Sequence, residues 1–346
     1  MAEADALDRR LTKPPGALGR LEDLGRQLCG IAGSCPPPLP APGAVAVFAG
    51  DHGVVARGVT PWPQEVTAQM VANFCAGGAA INVLARQHGA RMLVVDVGVA
   101  SPLDDQPGLL PRKVAPGTAD LAGGPAMTME QTVTALDTGA EVAAMLVEDG
   151  ARCLVTGEMG IGNTTPAAAL IAALTGRSPA AVTGRGTGID DVTLARKVAV
   201  IEQALDRHAK AVAAGPLAAL AALGGLELAA LTGFIVGGAA SRVPVVVDGV
   251  IADAALLVAV RLAPDVVACC MAGHRSVEPG ASAVLEELRL EPLLDLGMRL
   301  GEGSGACLAL PIVEAAARIL REMATFDAAG VSEKVSENDA GPNPAG

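Results

Sequence analysis

Short apolar runs alternate with longer amphipathic or alanine-rich stretches along most of the chain. The runs have the length and branched apolar composition of buried strands, and the longer stretches have helical patterns. The strand candidates are Val45–Ala49, Met92–Val97, Cys153–Thr156, Phe234–Val236, Val243–Val247 and Val266–Cys270. Helices are predicted over Gln64–Gln87, Met129–Asp149 and Thr193–Ala214. This alternation is typical of an α/β fold in which helices cover both faces of a parallel sheet.

Two apolar regions allow more than one interpretation. The strand candidates on either side of Arg242 lie close together, so one of them can belong to a helix or an edge strand instead. The stretch Ala211–Ala240 carries Glu227 as its one charged residue and is broken by glycines and a proline. Its weak hydrophobicity favours a buried core helix over a membrane span.

Composition narrows the class of protein further. The 346 residues include no Tyr, four Phe and one Trp, and the net charge is −12. Nucleic acid is a poor partner for such a chain, because base stacking needs aromatic faces and phosphate backbones attract basic proteins. The seven cysteines form no CxxC pair, the histidines lack metal-ligand spacing, and the N-terminus lacks an apolar signal segment. We predict a cytoplasmic protein with reduced, buried cysteines and with no metal or other cofactor.

Polar residues and glycines follow the predicted strands. These tips contain Asp51 and His52, Asp96, Glu158 and Asn163, Asp248, and His274. Any single tip is explained by a turn of the chain, and Asp51 and His52 fit turn and cap roles better than a metal or acid–base pair. Because the carboxyl ends of parallel strands meet at one edge of a sheet, all of the tips together predict a single ligand cleft.

Two glutamates stand among glycines where one element gives way to another. Glu158 lies in TGEMGIGNTTPAAAL, where Thr165 is a suitable N-cap and Pro166 a suitable first helical residue. Free N–H groups at the helix start favour a phosphate there, although the segment is neither a P-loop nor a GxGxxG fingerprint. Glu302 lies in MRLGEGSGACLALP, whose Ser304 lacks the spacing of a nucleophile elbow.

A further glycine-rich segment, TGRGTGIDDVTLARK, contains Gly186 and Lys197. Its acidic pair, Asp190 and Asp191, follows no apolar strand, so it is not the diphosphoribosyl-binding loop of the common phosphoribosyltransferases. Lys197 either contacts a phosphate or lies on a solvated helix surface.

Both ends of the chain have helical patterns that can pack together. The proline-rich segment Cys35–Gly43 separates an N-terminal helical piece from the first strand. After Glu302 the pattern predicts a helix that is kinked or restarted near Pro311. The predicted organisation is a small helical domain from 1–34 and 306–332, a large α/β domain from 44–305, and a disordered tail from 333–346.

Seven segments of the sequence together match the motifs of one protein family. They are LTKPPGALGRLEDL (11–24), FAGDHGV (48–54), PQEVTAQMVANF (63–74), DVGV (96–99), GEMGIGNTTPAAAL (157–170), VPVVVDG (243–249) and MRLGEGSGACLALPIVEAA (298–316). In these segments the chain resembles the nicotinate-nucleotide–dimethylbenzimidazole phosphoribosyltransferase family of cobalamin lower-ligand synthesis. The resemblance extends from residue 11 to about residue 330, and its last segment is long and specific.

The resemblance implies a Rossmann-like, six-stranded parallel sheet, a small helical domain formed by both termini, and a homodimer. It implies transfer of the phosphoribosyl group of nicotinate mononucleotide to 5,6-dimethylbenzimidazole. Glu302 is then the catalytic base and Glu158 a second acid, although the residues alone leave open which one takes the proton. The implied phosphate and nucleotide contacts are Gly160, Gly162, Asn163, Gly186 and Lys197. The residues of the aromatic-base pocket are Trp62, which stands where a smaller residue or Tyr is expected, Met159 and Leu300.

This chemistry needs no metal, because the departing nicotinate is a pyridinium-type nitrogen that is already cationic. The predicted partners are small-molecule substrates, without nucleic acid or membrane. Two other classes of function stay open as alternatives. A dinucleotide-binding oxidoreductase is allowed by the strand–glycine–helix turn but is disfavoured by the missing GxGxxG. A non-catalytic nucleotide-binding protein is the other.

Overall fold

The computed structural model describes residues 2–103 and 106–332. The described residues divide into two compact units, a larger one within Pro40–Pro311 and a smaller one made of 2–39 and 312–332. The domain limits inferred from the sequence stay predictions. The predicted disordered tail, 333–346, lies outside the described residues.

A six-stranded parallel sheet forms the centre of the larger unit. Its strands are β1 (Gly43–Gly50), β2 (Arg91–Gly98), β3 (Leu109–Pro111), β4 (Cys153–Met159), β5 (Val245–Val247) and β6 (Cys270–Ala272). Their order across the sheet is β3-β2-β1-β4-β5-β6, and each neighbouring pair is parallel. β1 reads GAVAVFAG and is buried along its whole length, as expected for a central parallel strand. The predicted α/β class and its six-stranded parallel sheet are confirmed.

Helices make up most of the remaining described chain. They are α1 (Ala2–Arg10), α2 (Arg20–Ala32), α3 (Glu65–Ala76), α4 (Ala80–Gln87), α5 (Met129–Glu148), α6 (Thr164–Thr175), α7 (Pro179–Val182), α8 (Asp191–Ala214), α9 (Pro216–Leu223), α10 (Leu226–Ala240), α11 (Val250–Leu262), α12 (Pro279–Leu288), α13 (Ser304–Glu322) and α14 (Phe326–Ala329). Short 3₁₀ helices occupy Gly53–Arg57 and Pro264–Cys269. α13 runs through Pro311 as one helix, so it does not restart there.

Close packing of α5 on α10 explains the many small residues of this region. A Cβ atom at Gly139 would lie 1.8 Å from the Ala230 carbonyl oxygen, and one at Gly233 would lie 1.8 Å from that of Leu136. The two backbones therefore approach more closely than any side chain at these positions would permit. α10 is buried on nearly all sides as a result.

Several predicted boundaries are wrong, and burial explains the largest error. The strand candidate Phe234–Val236 lies inside α10, because a helix buried all round has no polar face to reveal its period. The candidate Val266–Cys270 is mostly 3₁₀ helix, and its strand begins only at Cys270. The short strand β3 has no apolar run long enough to predict it.

Two stretches have the composition of a membrane span without its continuous helix. Glu65–Gln87 is long and apolar enough, but it forms helices of 12 and 8 residues, and Gly77, with φ of 81°, ends the first. Ala211–Ala240 is likewise divided among the end of α8, α9 and α10. A spanning helix needs about 20 consecutive apolar residues.

The motif LTKPPGALGRLEDL organises the smaller unit. Lys13 Nζ lies 3.0 Å from Asp8 Oδ1 and 2.9 Å from Glu22 Oε1, and all three side chains are buried. The Glu22 carboxylate also accepts hydrogen bonds from the backbone N–H groups of Gly16 and Leu18, at 3.1 and 3.0 Å. The buried lysine is thus paired, and its partner fastens the turn that precedes α2.

Candidate active site

A cavity of about 400 Å³ opens at the carboxyl ends of β4, β5 and β6 in the larger unit. Ligands bind at this edge in open α/β sheets. Its lining includes every site residue predicted from the sequence, namely Trp62, Glu158, Met159, Gly160, Gly162, Asn163, Gly186, Lys197, Leu300 and Glu302. The fold therefore brings together segments that are far apart along the chain.

Glu158 lies near the end of β4 with 6% of its surface exposed. Burial, followed by the charges of Asp248 and Glu227, raises the pKa of this carboxyl to about 8. The amide of Asn163 donates a hydrogen bond to Glu158 Oε2, which opposes the rise in pKa. At neutral pH Glu158 is therefore mainly a protonated acid.

Glycines explain how a second acid reaches this strand. Gly301, Glu302 and Gly303 have φ values of 82°, 65° and 89°, a left-handed run that is strained for Glu302. A Cβ atom at Gly301 would lie 2.3 Å from Glu158 Oε1, and one at Gly303 would lie 2.9 Å from the Thr156 carbonyl oxygen. The glycines thus let residues 301–303, here called the Glu302 loop, lie directly against β4.

Glu302 is also buried, with one oxygen left free. Burial raises the pKa of its carboxyl, the charge of Asp248 adds to the rise, and the backbone N–H of Ile81 opposes it. Glu302 Oε2 has no hydrogen-bond partner within the described chain. A buried carboxylate oxygen without a partner, on the wall of a cavity, is suited to accept a proton from a ligand.

Lys197 is buried beside the start of α6, with 1% of its surface exposed. Its ammonium group donates hydrogen bonds to Thr164 Oγ1 at 2.7 Å and to the Gly184 carbonyl oxygen at 3.2 Å. Burial lowers the pKa of Lys197 to about 8, and the charge of Glu278 opposes this. The solvated-surface interpretation of Lys197 is wrong. The ammonium group and the positive end of the α6 dipole lie side by side, an arrangement that favours an anion.

The glycine-rich segment after α7 packs against this lysine. The Gly186 N–H donates to Glu278 Oε1 at 2.8 Å, and Arg299 donates to the Gly186 carbonyl oxygen at 2.7 Å. Arg185 also lines the cavity, so three basic side chains contribute to this part of its wall.

Sequence reasoning missed several lining residues, namely Arg185, Ser276, Glu278 and Arg299. Arg185 stands within TGRGTG, so its place among glycines was an available signal. Ser276 and Glu278 follow His274, the β6 tip, which does line the cavity. Glu278 lies far from Gly186 in the sequence, so its role became visible only in the structure, where its carboxylate accepts a hydrogen bond from the Gly186 N–H.

Apolar side chains form another part of the wall. Met159, Val66, Met70 and Ile161 line the cavity together with Trp62 and Leu300. Trp62 and Leu300 are 48% and 55% exposed, which places them at the rim. An apolar opening of this kind suits an aromatic ring.

The start of α6 differs from its prediction by two residues. The N-cap position is Asn163 rather than Thr165, and the first helical residue is Thr164 rather than Pro166. Asn163 makes no capping hydrogen bond through its side chain, because the amide donates to Glu158 instead. Asn163, although of a residue type that often caps helices, thus binds a carboxyl group of the cavity with its side chain.

The tips of β1 and β2 do not line the cavity, so the prediction of one cleft from all strand tips is wrong for them. Asp96 accepts hydrogen bonds from the Gly98 and Val99 N–H groups, and Asp51 accepts one from Ala100. These carboxylates turn the chain, which was the other interpretation. His52 Nε2 lies 2.8 Å from Glu227 Oε1, with both side chains buried.

Among the described residues, the cavity wall contains no cysteine and no cluster of side chains arranged for a metal ion. In residues 2–103 and 106–332, no group of three or more His, Cys, Asp or Glu is arranged to hold a metal ion. All seven cysteines are free, and Cys29, Cys153, Cys270 and Cys307 are buried. None of the seven is among the cavity's lining residues.

Comparison with known proteins identifies the family. The phosphoribosyltransferase family profile matches residues 1–331. Nicotinate-nucleotide–dimethylbenzimidazole phosphoribosyltransferase of Salinispora tropica is 57% identical over 348 residues, which cover 96% of this chain and 95% of that protein. The protein of the same name from Chloroflexus aurantiacus is 58% identical over 325 residues, with coverage of 94% and 92%. A crystal structure of the Thermus thermophilus enzyme of this name has a TM-score of 0.91 at 50% identity, covering 96% of this chain and 98% of that one. The chain therefore belongs to the nicotinate-nucleotide–dimethylbenzimidazole phosphoribosyltransferase family.

Proposed function

We propose that this protein transfers the phosphoribosyl group of nicotinate mononucleotide to 5,6-dimethylbenzimidazole. The products are α-ribazole 5′-phosphate and nicotinate, and the ribotide supplies the lower ligand of cobalamin. One observation carries the proposal: a single cavity joins a buried lysine at a helix start to two glycine-framed carboxyl groups. The first feature suits a nucleotide phosphate, and the second suits the exchange of one nitrogen base for another.

The phosphate of the nucleotide lies, in this proposal, at the start of α6. Gly160 and Gly162 line that part of the cavity, together with Gly186 and Lys197. The positive end of a helix dipole and an ammonium group are complementary to a phosphate dianion. A buried lysine whose pKa is lowered by burial gains most from such a counter-ion.

The reaction replaces one C1′–N bond by another. A ring nitrogen of dimethylbenzimidazole attacks C1′ of the ribose on the face opposite nicotinate. The bond from C1′ to the pyridinium nitrogen breaks, and its electron pair neutralises that nitrogen. The β-nucleotide becomes an α-ribotide by inversion. The proton on the other benzimidazole nitrogen must then pass to a base.

Glu302 is the base in this proposal, and Glu158 is a protonated partner. Glu158, with a pKa of about 8, already holds a proton at neutral pH, so it is a poor acceptor. Glu302 has an oxygen without a hydrogen-bond partner in the described chain. A positioned base of this kind contributes roughly 10²–10⁴-fold to a rate. Trp62, Met159 and Leu300 hold the flat apolar part of the base.

The setting of the enzyme is part of the proposal. We infer a cytoplasmic homodimer, on the basis of the family resemblance and of the reduced cysteines. Light scattering on the purified protein measures the assembly directly. A mass of one 34.4 kDa chain at micromolar concentration would contradict the dimer. The family match argues against both the oxidoreductase and the non-catalytic alternative.

Release of nicotinate tests the function. Purified protein is incubated with nicotinate mononucleotide, with and without dimethylbenzimidazole, and both products are separated by chromatography. We expect nicotinate and α-ribazole 5′-phosphate in equal amounts, and only when both substrates are present. Nucleotide binding without turnover would support a non-catalytic protein instead.

A further inference from the structure

We propose that Asp248 is a positioning residue for this reaction: by binding the backbone at the start of α13, it holds Glu302 against β4. The inference rests on the proposed function, because it assigns Asp248 a role relative to the carboxylate that receives the proton. Asp248 follows β5 and does not itself line the cavity.

Hydrogen bonds of Asp248 join three segments at one point. Asp248 Oδ1 accepts from the Ala306 N–H at 2.9 Å, and Oδ2 accepts from the Gly303 N–H at 3.3 Å. The N–H of Asp248 itself donates to Thr156 Oγ1 on β4 at 3.0 Å. One buried residue therefore ties β4 and β5 to the Glu302 loop.

The Glu302 loop needs such an anchor for two reasons. A left-handed backbone at a glutamate persists only where the surrounding structure holds it, and Glu302 has φ of 65°. The first N–H groups of α13 have no partner within the helix, and burial without an acceptor would be costly. A carboxylate at this helix start satisfies them and interacts favourably with the helix dipole.

Several titratable groups face Asp248 from the elements around it. His274, at the β6 tip, places Nε2 3.5 Å from Asp248 Oδ1. The other groups that interact with its charge are Glu158 on β4, Asp253 on α11, Glu302 in the loop and Cys307 on α13. After burial, the charge of Asp248 is the leading cause that raises the pKa of Glu158, and it also raises that of Glu302.

Asp248→Asn and Asp248→Glu together separate the geometry of this anchor from its charge. Asn turns one acceptor oxygen into a donor that faces a backbone N–H, so kcat should fall roughly 10- to 100-fold. The acid limb of the pH profile of kcat should also move to lower pH, because Glu302, the proposed base, loses a negative neighbour. Glu keeps the charge but displaces the loop, so kcat should fall while the acid limb stays in place.

The KM for nicotinate mononucleotide gives a further readout. It should stay near the wild-type value in both variants, because the proposed phosphate site is built on other residues. Asp96→Asn is the matched control. Asp96 is also a buried aspartate near the end of a strand, and it also accepts two backbone N–H groups, but it lies outside the cavity. Its kcat and pH profile should match those of the wild type.

The outcomes distinguish this inference from the proposed function. A wild-type protein that releases no nicotinate in the presence of both substrates overturns the proposed function. An active wild type, with Asp248→Asn indistinguishable from Asp96→Asn in kcat and acid limb, overturns the role of Asp248 alone. If Asp248→Asn does not fold, Asp248→Glu decides the question, and wild-type kcat in that variant overturns the inference.

Discussion

The acid cluster (Glu158 and Glu302 on the cavity wall, with Asp248 behind them) and the buried lysine of the cavity, Lys197, respond to burial in opposite directions. Burial raises the pKa of Glu158 from an ordinary 4.5 to about 8 and lowers that of Lys197 from 10.5 to about 8. Each group is thus held in an environment that disfavours its charged form. The phosphate of the proposed substrate is an anion and relieves this for Lys197, whereas Glu158 meets the same environment by holding a proton.

The two regions differ in how their side chains are held. Glu302 stands in a left-handed loop between glycines, where small shifts of the backbone move the carboxylate. Lys197 extends from helix α8, and its long side chain reaches Thr164 and Gly184. We infer that the acid cluster depends on backbone geometry and the lysine on charge. Substitutions should therefore change kcat at one and KM at the other.

Glu302→Gln should show the largest effect. Gln keeps the size and one acceptor oxygen but is a far weaker base, so kcat should fall roughly 10²–10³-fold while the fold is retained. Residual activity should persist, because both substrates are still held in line. Nicotinate release under saturating substrates gives kcat, and circular dichroism reports the fold.

Glu158→Gln supplies the comparison for that result. Because Glu158 is already protonated at neutral pH, Gln resembles its working form, and kcat should change only a few-fold. Wild-type kcat for Glu302→Gln with a collapse for Glu158→Gln would reverse the two roles. A loss of only a few-fold in both variants would mean that proton removal does not limit the rate.

Lys197→Ala should produce the next largest effect, on binding rather than on turnover. Loss of a charged donor should raise the KM for nicotinate mononucleotide roughly 10- to 100-fold and leave that for dimethylbenzimidazole nearly unchanged. Lys210→Ala, an exposed lysine on the same helix, is the control. Equal increases in both KM values for Lys197→Ala would show that it does not bind the phosphate.

Glu158→Gln should also have a smaller effect, on stability as a function of pH. Because the pKa of Glu158 is raised, its contribution to stability is complete below pH 4.5 and is lost as pH rises to about 8. Gln has no such loss, so its Tm should exceed that of the wild type by a few degrees at pH 9 and not at pH 4.5. Thermal melts of Glu202→Gln, an exposed site on α8, serve as control. A constant Tm difference across pH would contradict the burial effect.

Removal of divalent metal ions should have the smallest effect of all. The cationic leaving group and the buried lysine provide the charge that a metal would otherwise supply. Activity after treatment with a chelator and desalting should therefore equal that of the untreated enzyme. Loss of activity that a divalent ion restores would contradict the metal-free prediction.

Local patterns in the sequence predicted the central part of the sheet correctly. β1, β2 and β4 each contain a run of at least three apolar residues, because a central parallel strand is buried on both faces. The same burial misled the interpretation of α10, whose apolar run at Phe234–Val236 resembles a strand. Burial is a tertiary property, so an apolar run shows that a segment is inside without showing its conformation.

The sequence by itself determined which residues could do the chemistry: two acids among glycines, a helix start, a lysine and an apolar rim. It also carried the family resemblance. Only the tertiary structure decided which of these groups are desolvated and which neighbours they have. In the folded chain Lys197 is buried, and the Glu278 carboxylate accepts a hydrogen bond from Gly186. Asp248 binds the backbone N–H of Gly303, next to Glu302, and Asp96 lies outside the cavity. A pKa depends on distance and dielectric in three dimensions, and neither is encoded by neighbours along the chain.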